Sequence, residues 1–449
     1  MQSPVTQSML ILVSVFIAAL AGCSKTDSDL SPAVISGGSM EPALHGECVR
    51  SICSDCGFPV FRELEAAQRS YVCPNCGRSQ DAPSQSQLSA QQVQIDATAE
   101  IHRWHIVAFE RQRGSQDPPS TNGNEVSYKG VKRIVGFGDE SISIREGDVF
   151  INGARLQKSL EQQKEMRILV YDSTFVPADD RLRHRNFRSN SRGWSVAGDK
   201  RPPATLIAET IPGIESDEGA ELEYFHRRNF QHTGNADEAY PVEDFYIFNQ
   251  LSSLRLNDVH DLYFELELRL GAETQVQLQI NTGQRRLGLD LSREENFASV
   301  STLRGETGRV DLSDADDVLV LEFSTIDAQL IVAVNGMIVL QNPDLDSAVD
   351  EYETNEREIP DAMLALSAGK GAVELNSLRI WRDVYYFDRV ARGPTGQGSS
   401  APVSEIQLEA DEVYLLGDNV PVSIDSRHFA SPLKRKQILG VVEWEKRGP

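Results

Sequence analysis

Residues 37–42 read GGSMEP, and later stretches of the chain complete the pattern that decides its fold. Residues 131–136 read VKRIVG, while residues 414–419 and 423–427 read YLLGDN and SIDSR. A serine hydroxyl is a poor nucleophile until a base removes its proton, and a lysine can be that base only when its amine is neutral. The two glycines before Ser39 permit a tight backbone and close approach of a carbonyl group. These stretches predict a serine nucleophile with a lysine base.

Lys132 is the candidate base because it lies in an apolar run. A strand over this run would bury the lysine stem beside Val131, Ile134 and Val135, and burial disfavours the ammonium form. Lys129 is the competitor, but it precedes a glycine and lacks the apolar run. The alternative interpretation of Lys132 is an ordinary surface lysine on a strand edge.

The order of these motifs resembles that of bacterial type I signal peptidases, the Ser–Lys proteases of the S26-like family. The resemblance implies that Ser39 is the nucleophile and Lys132 the general base. It also implies that the polar box near the C-terminus supports this pair. Within the box, Ser423 would hydrogen-bond the lysine amine, while Asp425 and Arg427 would form an ion pair.

Two more residues of the box, Asp418 and Asn419, would hold their loop by local bonds from side chain to backbone. The chain also departs from the family pattern. Val420 replaces an arginine, and Gly37 stands where some members place a hydroxyl that helps to bind the oxyanion. The oxyanion would then depend on a backbone N–H group, that of Ser39 itself.

The resemblance implies an endopeptidase that acts on the signal peptides of exported preproteins. The substrate would dock as an extended strand through main-chain hydrogen bonds. Cleavage would pass through an acyl-enzyme, and the chemistry needs no cofactor. The alternative is a catalytically degenerate lipoprotein whose β-sandwich binds glycan or protein, and the departures favour it. The sequence shows no ligand motif in that sandwich, so its ligand is unknown.

The N-terminus indicates attachment to a membrane. Residues 9–22 form one apolar run, which is short for a spanning helix of about 20 residues but has the length of a signal-peptide core. Residues 20–23 read LAGC, which resembles a lipobox and predicts lipidation of Cys23. An uncleaved membrane anchor and a buried core helix are the alternatives. The first two interpretations place the rest of the chain at the extracytoplasmic (periplasmic) face of a membrane.

The composition limits the class of protein. A length of 449 residues predicts two to four domains, and a hydrophobic content of 40% is enough for real cores. The formal net charge of −23 argues against a nucleic-acid partner, since phosphate binding needs clustered lysine and arginine.

Four cysteines show the spacing of a zinc ribbon. Two CxxC pairs, Cys53 with Cys56 and Cys73 with Cys76, are each followed by a glycine that permits the knuckle turn. Four thiolates would make a closed, structural zinc site. An exported chain meets oxidising conditions, so two disulfides are an alternative, and redox activity is another. Cys48 is left over and is expected to be a small buried residue.

Alternating apolar and polar residues predict antiparallel strands in the middle of the chain. Residues 262–270 read LYFELELRL, and the Asn335-Gly336 pair between two apolar runs predicts a type I′ hairpin. Repeated short strands of this kind favour a β-sandwich, and their pattern resembles the concanavalin-like jelly rolls.

We therefore expect a mainly β chain. A signal-peptidase-type β core would be interrupted by a small zinc-ribbon-like module and a jelly-roll β-sandwich. The expected segments are 1–22 (signal peptide or anchor), 23–52 (linker and nucleophile segment), 53–78 (ribbon), 96–165 (core with the lysine), 166–388 (sandwich), 389–403 (linker) and 404–449 (last part of the core).

Overall fold

The computed structural model describes residues 30–81, 85–112, 127–183, 185–189, 194–197, 205–209, 220–229, 238–249, 256–283, 286–302, 305–312, 317–345, 362–370, 372–389, 400–401, 403–429 and 431–445. The apolar run 9–22 and the predicted lipidation site Cys23 lie outside these residues. Among the helices that are described, none is long and apolar enough to cross a membrane.

A seven-stranded antiparallel sheet, here called the core sheet, carries the motifs of the sequence. Its strands, in spatial order, are Leu30–Val34, Gln92–Asp96, Ile438–Glu443, Ile106–Gln112, Ser127–Phe137, Glu412–Leu416 and Leu433–Lys434. The strand Ser127–Phe137, here called the lysine strand, pairs with Ile106–Gln112 over residues 127–133 and with Glu412–Leu416 over residues 133–137. This topology brings three segments that are distant in the sequence to neighbouring positions.

A four-stranded sheet packs against the core sheet. Its strands are Ala154–Arg155, Asp148–Ile151, Ser141–Arg145 and Val403–Gln407. Its inward residues Ile142, Ile144 and Val149 share one apolar core with Val135 and Tyr414 of the core sheet. Burial of these side chains stabilises the contact by about 25 cal/mol per Å² of apolar surface.

The cysteine-rich segment forms a small β module next to the nucleophile segment. It contains a sheet of Pro59–Glu63, Cys48–Ile52 and Gln85–Leu88, a hairpin of Tyr71–Val72 with Ser79–Gln80, and the 3-10 turn Leu64–Ala66. Two turns with positive φ, at Gly57 (81°) and Gly77 (76°), follow the CxxC pairs. The sheet of the module therefore extends from residue 48 to residue 88, beyond the predicted range 53–78.

Two facing antiparallel sheets form a β-sandwich. One contains Trp194–Ala197, Thr205–Glu209, Ala372–Arg382, Leu262–Leu270, Val318–Ser324, Leu330–Val334 and Met337–Asn342, with Ile168–Asp172 also paired to Ala372–Arg382. The other contains Phe187–Ser189, Ala220–Tyr224, Leu364–Lys370, Gln275–Asn281, Arg286–Ser292, Phe297–Thr302 and Gly305–Asp311. The predicted hairpin is confirmed, because Asn335 and Gly336 have φ values of 49° and 80° between paired strands.

Short elements complete the chain. They are the α-helices Leu160–Met166 and Asp180–Arg183, the 3-10 turns Ile247–Asn249, Ile326–Ala328 and Arg435–Gln437, and the strand pair Asp388–Arg389 with Ser400–Ala401. A capping box at Ser159 starts the first helix. The predominance of strands confirms the expected mainly β fold.

A buried ion cluster joins the sandwich to the rest of the chain. The ammonium of Lys158 lies 2.5 Å from Asp327 Oδ1 and 3.0 Å from Asp383 Oδ2. All three side chains are buried, and Asp327 and Asp383 flank strands of the sandwich. Because a buried charge is tolerated only with a partner, this cluster fixes the junction between the two units.

Candidate active site

The predicted nucleophile and base are in direct contact. Lys132 Nζ lies 2.7 Å from Ser39 Oγ and 2.9 Å from the carbonyl oxygen of Val131. Ser39 is part of a turn that follows the first strand of the core sheet, and Lys132 projects from the middle of the lysine strand. A distance of 2.7 Å permits transfer of a proton between oxygen and nitrogen.

The surroundings of Lys132 favour its neutral form. The residue is 1% exposed, and this burial lowers the pKa of its amine from 10.5 to about 8. The negative charges of Asp425 and Asp418 act in the opposite direction, while Arg427 adds to the lowering. A substantial fraction of the amine is therefore neutral in mildly alkaline solution, as a general base requires.

Asp425 organises the C-terminal box. It accepts a bidentate pair from Arg427, with Nε to Oδ1 at 2.8 Å and Nη2 to Oδ2 at 2.6 Å. Its Oδ2 also accepts the hydroxyl of Ser423 at 2.7 Å and the amide N–H of Gly417 at 3.0 Å. Burial raises the pKa of Asp425, but the charge and hydrogen bonds of Arg427, together with those of His428, more than offset burial and hold this pKa well below its usual range.

The contact of Ser423 differs from the expected one. Its hydroxyl donates to Asp425 rather than to the amine of Lys132. A carboxylate held ionised by an arginine is a stronger acceptor than a neutral amine, and this explains the choice. Ser423 is completely buried, and this hydrogen bond connects it to the carboxylate of Asp425.

Asp418 also differs from the expectation of a local turn contact. Its carboxylate forms a bidentate pair with Arg133, at 2.9 Å to Nε and 2.7 Å to Nη2. Arg133 in addition donates to the carbonyl oxygen of Trp104 at 2.6 Å and to Glu165 at 2.8 Å. Because Asp418 is fully buried, its charge needs a cation rather than backbone amides alone. The sequence offered one signal for this pair, because Arg133 is a charged residue within the apolar run 131–136 and would need a partner when buried.

Asn419 connects the box to the nucleophile turn. Its backbone N–H donates to the carbonyl oxygen of Ser39 at 3.1 Å, and its Nδ2 donates to that of Gly38 at 2.8 Å. The chains approach so closely that a Cβ on Gly417 would lie 2.7 Å from the Ser39 carbonyl oxygen and 2.1 Å from Ser423 Oγ. Glycine is therefore required at position 417.

The backbone N–H of Ser39 is available for an oxyanion. Within the part of the chain that the structure describes, it donates no hydrogen bond. Gly37, two residues before Ser39, is exposed, with nothing within 4 Å of the position of a Cβ. This arrangement fits the expectation that the oxyanion is bound by the Ser39 N–H.

Comparison with known families agrees with this geometry. The model of the family "Signal peptidase, peptidase S26" matches residues 7–200 and 332–445, which is more than half of the chain. The chain belongs to the S26 signal peptidase family. The matched ranges contain the three motifs and the core sheet, so the S26 resemblance covers both.

Comparison with the curated proteins gave no match. Among solved structures, similarity was found to a Caenorhabditis elegans galectin, LEC-6 (14% identity, TM-score 0.18, 27% of this chain and 81% of that chain). It was also found to the carbohydrate-binding module CBM66 from Bacillus subtilis (6%, 0.22, 44% and 92%) and to the GH43 protein BlXynB from Bacillus licheniformis (11%, 0.27, 65% and 60%). Because these TM-scores are all below 0.5, the similarities do not indicate a ligand for this chain.

The four predicted metal ligands of this S26 peptidase converge on one point. Cys53 Sγ lies 3.7 Å from Cys76 Sγ, and Cys56 Sγ lies 3.8 Å from Cys73 Sγ, with all four sulfurs within 4.8 Å of one another. A tetrahedral zinc ion with Zn–S bonds of about 2.3 Å requires neighbouring sulfurs about 3.8 Å apart. The residues therefore fit such an ion. The fifth cysteine, Cys48, is buried as expected.

Residues of the inserted sandwich also reach the candidate active site of the S26 peptidase. Tyr246, Phe248 and Asn249 contact the nucleophile turn or the C-terminal box. Sequence reasoning missed them, because they belong to no motif and lie about 170 residues from the box that they contact.

Proposed function

We propose that this chain is a membrane-associated serine endopeptidase that removes signal peptides from exported proteins, with Ser39 as nucleophile and Lys132 as general base. The observation that carries the proposal is the 2.7 Å contact between Ser39 Oγ and the amine of a buried lysine. The lowered pKa of that amine, to about 8, supports the role of base. Membership of the S26 family supports signal peptides as the class of substrate.

An unpaired strand edge beside the nucleophile supports a mode of substrate binding. The strand Glu412–Leu416 pairs with residues 133–137 of the lysine strand, and no described strand covers the same edge at residues 127–131. Unpaired edges of this kind accept an extended peptide by main-chain hydrogen bonds. A signal peptide bound there would place its scissile carbonyl group near Ser39.

The reaction follows from the two side chains. Neutral Lys132 takes the hydroxyl proton of Ser39, and Oγ attacks the scissile carbonyl carbon. The N–H of Ser39 donates to the oxyanion of the tetrahedral intermediate. The C–N bond then breaks, Lys132 gives its proton to the leaving amine, and the mature protein departs with a new N-terminus.

Water completes the cycle. Lys132, again neutral, takes a proton from a water molecule, and the resulting hydroxide attacks the ester on Ser39. The ester bond breaks, the proton returns from Lys132 to Ser39 Oγ, and the signal peptide leaves as a carboxylic acid that releases its proton to solvent. The two steps together consume one water molecule and require no redox partner.

We also propose that the four cysteines hold a structural zinc ion, for which their sulfur spacings are the supporting observation. Thiolate ligands alone would give a closed site, so the ion would stabilise the module and take no part in cleavage. Lipidation of Cys23 and a position at the extracytoplasmic face of a membrane remain part of the proposal, on the basis of the N-terminal sequence.

A groove on the sandwich favours a second candidate function, the binding of glycan or protein. It has a volume of about 410 Å³. Polar side chains that can hydrogen-bond a sugar or a peptide line much of it, among them Glu223, Gln277, Gln279, Asn281 and Ser301. In the degenerate-lipoprotein interpretation, this groove would be the functional site.

Cleavage of a preprotein with an Ala-x-Ala site tests the proposal. The full chain in lipid is compared with Ser39→Ala, Lys132→Ala and the control Lys129→Ala. We expect cleavage by the unmodified chain and by the control, and none by the two other variants. No cleavage by the unmodified chain between about pH 7 and 10 would contradict the proposal and favour the binding function.

A further inference from the structure

We infer that residues 246–249, here called the bridging segment, position the nucleophile of this peptidase, and that Asn249 is the decisive residue. The inference rests on the proposed function and extends it to the sandwich. The segment includes the 3-10 turn Ile247–Asn249 and belongs to the insertion rather than to the peptidase core. The inserted unit would therefore be required for the chemical step.

The bridging segment is fixed to the sandwich at its beginning. Arg382, at the end of the strand Ala372–Arg382, donates from Nη2 to the carbonyl oxygen of Phe245 at 3.1 Å. Its guanidinium also lies 4.6 Å from the ring centre of Tyr246. Arg382 is 1% exposed, so a buried cation holds the segment to the longest strand of one sandwich sheet.

Two contacts attach the segment to the C-terminal box. The hydroxyl of Tyr246 donates to the carbonyl oxygen of Asp418 at 2.7 Å. The side-chain amides of Asn249 and Asn419 form a reciprocal pair, with N–H to oxygen distances of 2.6 and 2.8 Å. Both asparagines are buried, so water does not replace these bonds when they are lost.

The amide pair holds the side chain of Asn419 against the nucleophile turn. Asn249 Nδ2 donates to Asn419 Oδ1, which leaves Asn419 Nδ2 directed at the carbonyl oxygen of Gly38 at 2.8 Å. A flipped Asn419 would place its oxygen against that carbonyl oxygen. Because a carbonyl oxygen cannot donate, Gly38 selects this orientation of Asn419, and the reciprocal pair with Asn249 holds the side chain in it.

The bond from Asn419 to Gly38 contributes to the direction of the Ser39 N–H. The carbonyl group of Gly38 and the N–H of Ser39 belong to the same planar trans peptide unit and point in opposite directions. The Gly38 oxygen accepts from Asn419 Nδ2 and, at 3.2 Å, from the backbone N–H of Glu41, and holding it there fixes the N–H of Ser39 on the other side of the plane. This N–H is the donor that the oxyanion requires. Asn249 acts on the transition state through this chain of contacts, without touching the substrate.

Two apolar contacts hold the segment in place. The ring of Phe248 lies so close to the nucleophile turn that a Cβ on Gly38 would be 2.3 Å from Phe248 Cε1. Ile247 packs against the core of the cysteine module, beside the cluster that includes Cys53. The bridging segment therefore contacts the sandwich, the cysteine module, the nucleophile turn and the box.

The test compares the steady-state kinetics of Asn249→Ala and the matched control Asn186→Ala. Asn186 is a buried asparagine of the same sandwich whose Nδ2 donates to the carbonyl oxygen of Phe225 at 3.1 Å, and it has no bond to the bridging segment. Since loss of one oxyanion donor costs about 100-fold or more, we expect kcat of Asn249→Ala to fall about 10- to 100-fold. KM should change less than about twofold, and Asn186→Ala should keep kcat.

Hydrogen exchange of the peptide spanning residues 37–41 gives a readout besides activity. Exchange should accelerate in Asn249→Ala and not in Asn186→Ala. Tyr246→Phe removes one hydroxyl and preserves the packing, so it serves if Asn249→Ala does not fold. It should lower kcat about 3- to 10-fold, as expected for one lost hydrogen bond.

The outcomes separate the two claims. Equal kcat values for Asn249→Ala and Asn186→Ala, with unchanged exchange over residues 37–41, would overturn the role of the bridging segment. If Asn249→Ala is unfolded, an unchanged kcat in Tyr246→Phe would overturn the role of the bridging segment instead. Absence of cleavage by the unmodified protein would instead overturn the proposed function, and the exchange data would still decide whether Asn249 orders the turn.

Discussion

Lys132 Nζ and Ser39 Oγ lie 2.7 Å apart, although 93 positions separate the residues in the sequence. The core sheet creates this contact, because the nucleophile turn follows one of its strands and the lysine strand is another. Burial in that sheet removes water from the amine and lowers its pKa. The fold thus gives this lysine the lowered pKa that a general base would need in mildly alkaline solution.

The rate of cleavage should rise with pH as Lys132 loses its proton. With a pKa of about 8, kcat/KM should increase roughly tenfold per pH unit below that value and level off above it. A pH–rate profile from about pH 6 to 10, on a substrate without ionisable groups in this range, measures it. A midpoint near 10.5, the ordinary pKa of lysine, would contradict the lowering of the Lys132 pKa by burial.

Replacing Lys132 by methionine should stabilise the folded protein near neutral pH. A folded pKa of about 8 against 10.5 means that the unfolded chain binds the proton more tightly, so stability rises with pH between these values. The cost at pH 7 is about 3 kcal/mol at 1.36 kcal/mol per pKa unit. We expect Lys132→Met to recover about 1–3 kcal/mol at pH 7, and less at pH 10.

Denaturant unfolding at both pH values measures this difference. Lys129→Met is the control, since that lysine is in the same strand with an exposed side chain. It should leave stability unchanged. A destabilised Lys132→Met at pH 7 would show that the fold solvates the ammonium form well, and it would contradict the desolvation of Lys132.

The buried pair of Arg133 and Asp418 should be important for stability. Arg133→Met leaves the carboxylate without its cation, and losing one partner of a buried pair costs about 3–5 kcal/mol. Arg103→Met is the control, because its pair with Glu140 is partly exposed and should cost about 1 kcal/mol. Equal losses of unfolding free energy in the two variants would refute this difference.

The two glycines before the nucleophile should respond differently to alanine. A Cβ on Gly38 would clash with Phe248 Cε1 at 2.3 Å, whereas a Cβ on Gly37 has nothing within 4 Å. We expect Gly38→Ala to lose most of its cleavage activity and Gly37→Ala to keep it. Adding Phe248→Leu to Gly38→Ala removes the ring atoms that clash and should restore part of kcat. Equal activity of the two alanine variants would argue against the clash.

Metal analysis should find one zinc ion per chain in protein purified under reducing conditions. Cys73→Ser should lose the zinc ion and lower the melting temperature, since a structural zinc site contributes folding energy. Cys48→Ser is the control and should retain zinc, because Cys48 lies outside the group of four sulfurs. A zinc-free protein whose mass shows two disulfides would support the alternative pairing of these cysteines.

The parts of this site that the sequence predicts are those in which chemistry requires particular residue types close together. The serine after two glycines, the lysine within an apolar run and the C-terminal box together resemble the family pattern, and this resemblance predicted Ser39 and Lys132 as the reacting pair. Period-two alternation likewise predicted the strands of the sandwich, because each strand buries one face. Such signals come from residues that are close together in the sequence, so they can be recognised without a structure.

The parts that the sequence did not predict depend on contacts between distant segments. Asp418 was expected to form local turn bonds, but the fold places Arg133 within reach, and the buried charge pairs with it. Asn249 belongs to no motif and gains its place only from the packing of the sandwich on the core. Ser423 turns to Asp425 because a competing acceptor lies nearby in the folded chain.

Trapping of the acyl-enzyme is the most direct test of the central claim that Ser39 is the nucleophile and Lys132 its base. The protein is mixed at about pH 9 with a peptide ester that ends in Ala-x-Ala, quenched with acid within the first turnover, digested and analysed by mass spectrometry. We expect an acyl adduct on Ser39 that is absent in Ser39→Ala and strongly reduced in Lys132→Met. An adduct on another residue, or one that forms equally fast in Lys132→Met, would contradict the claim.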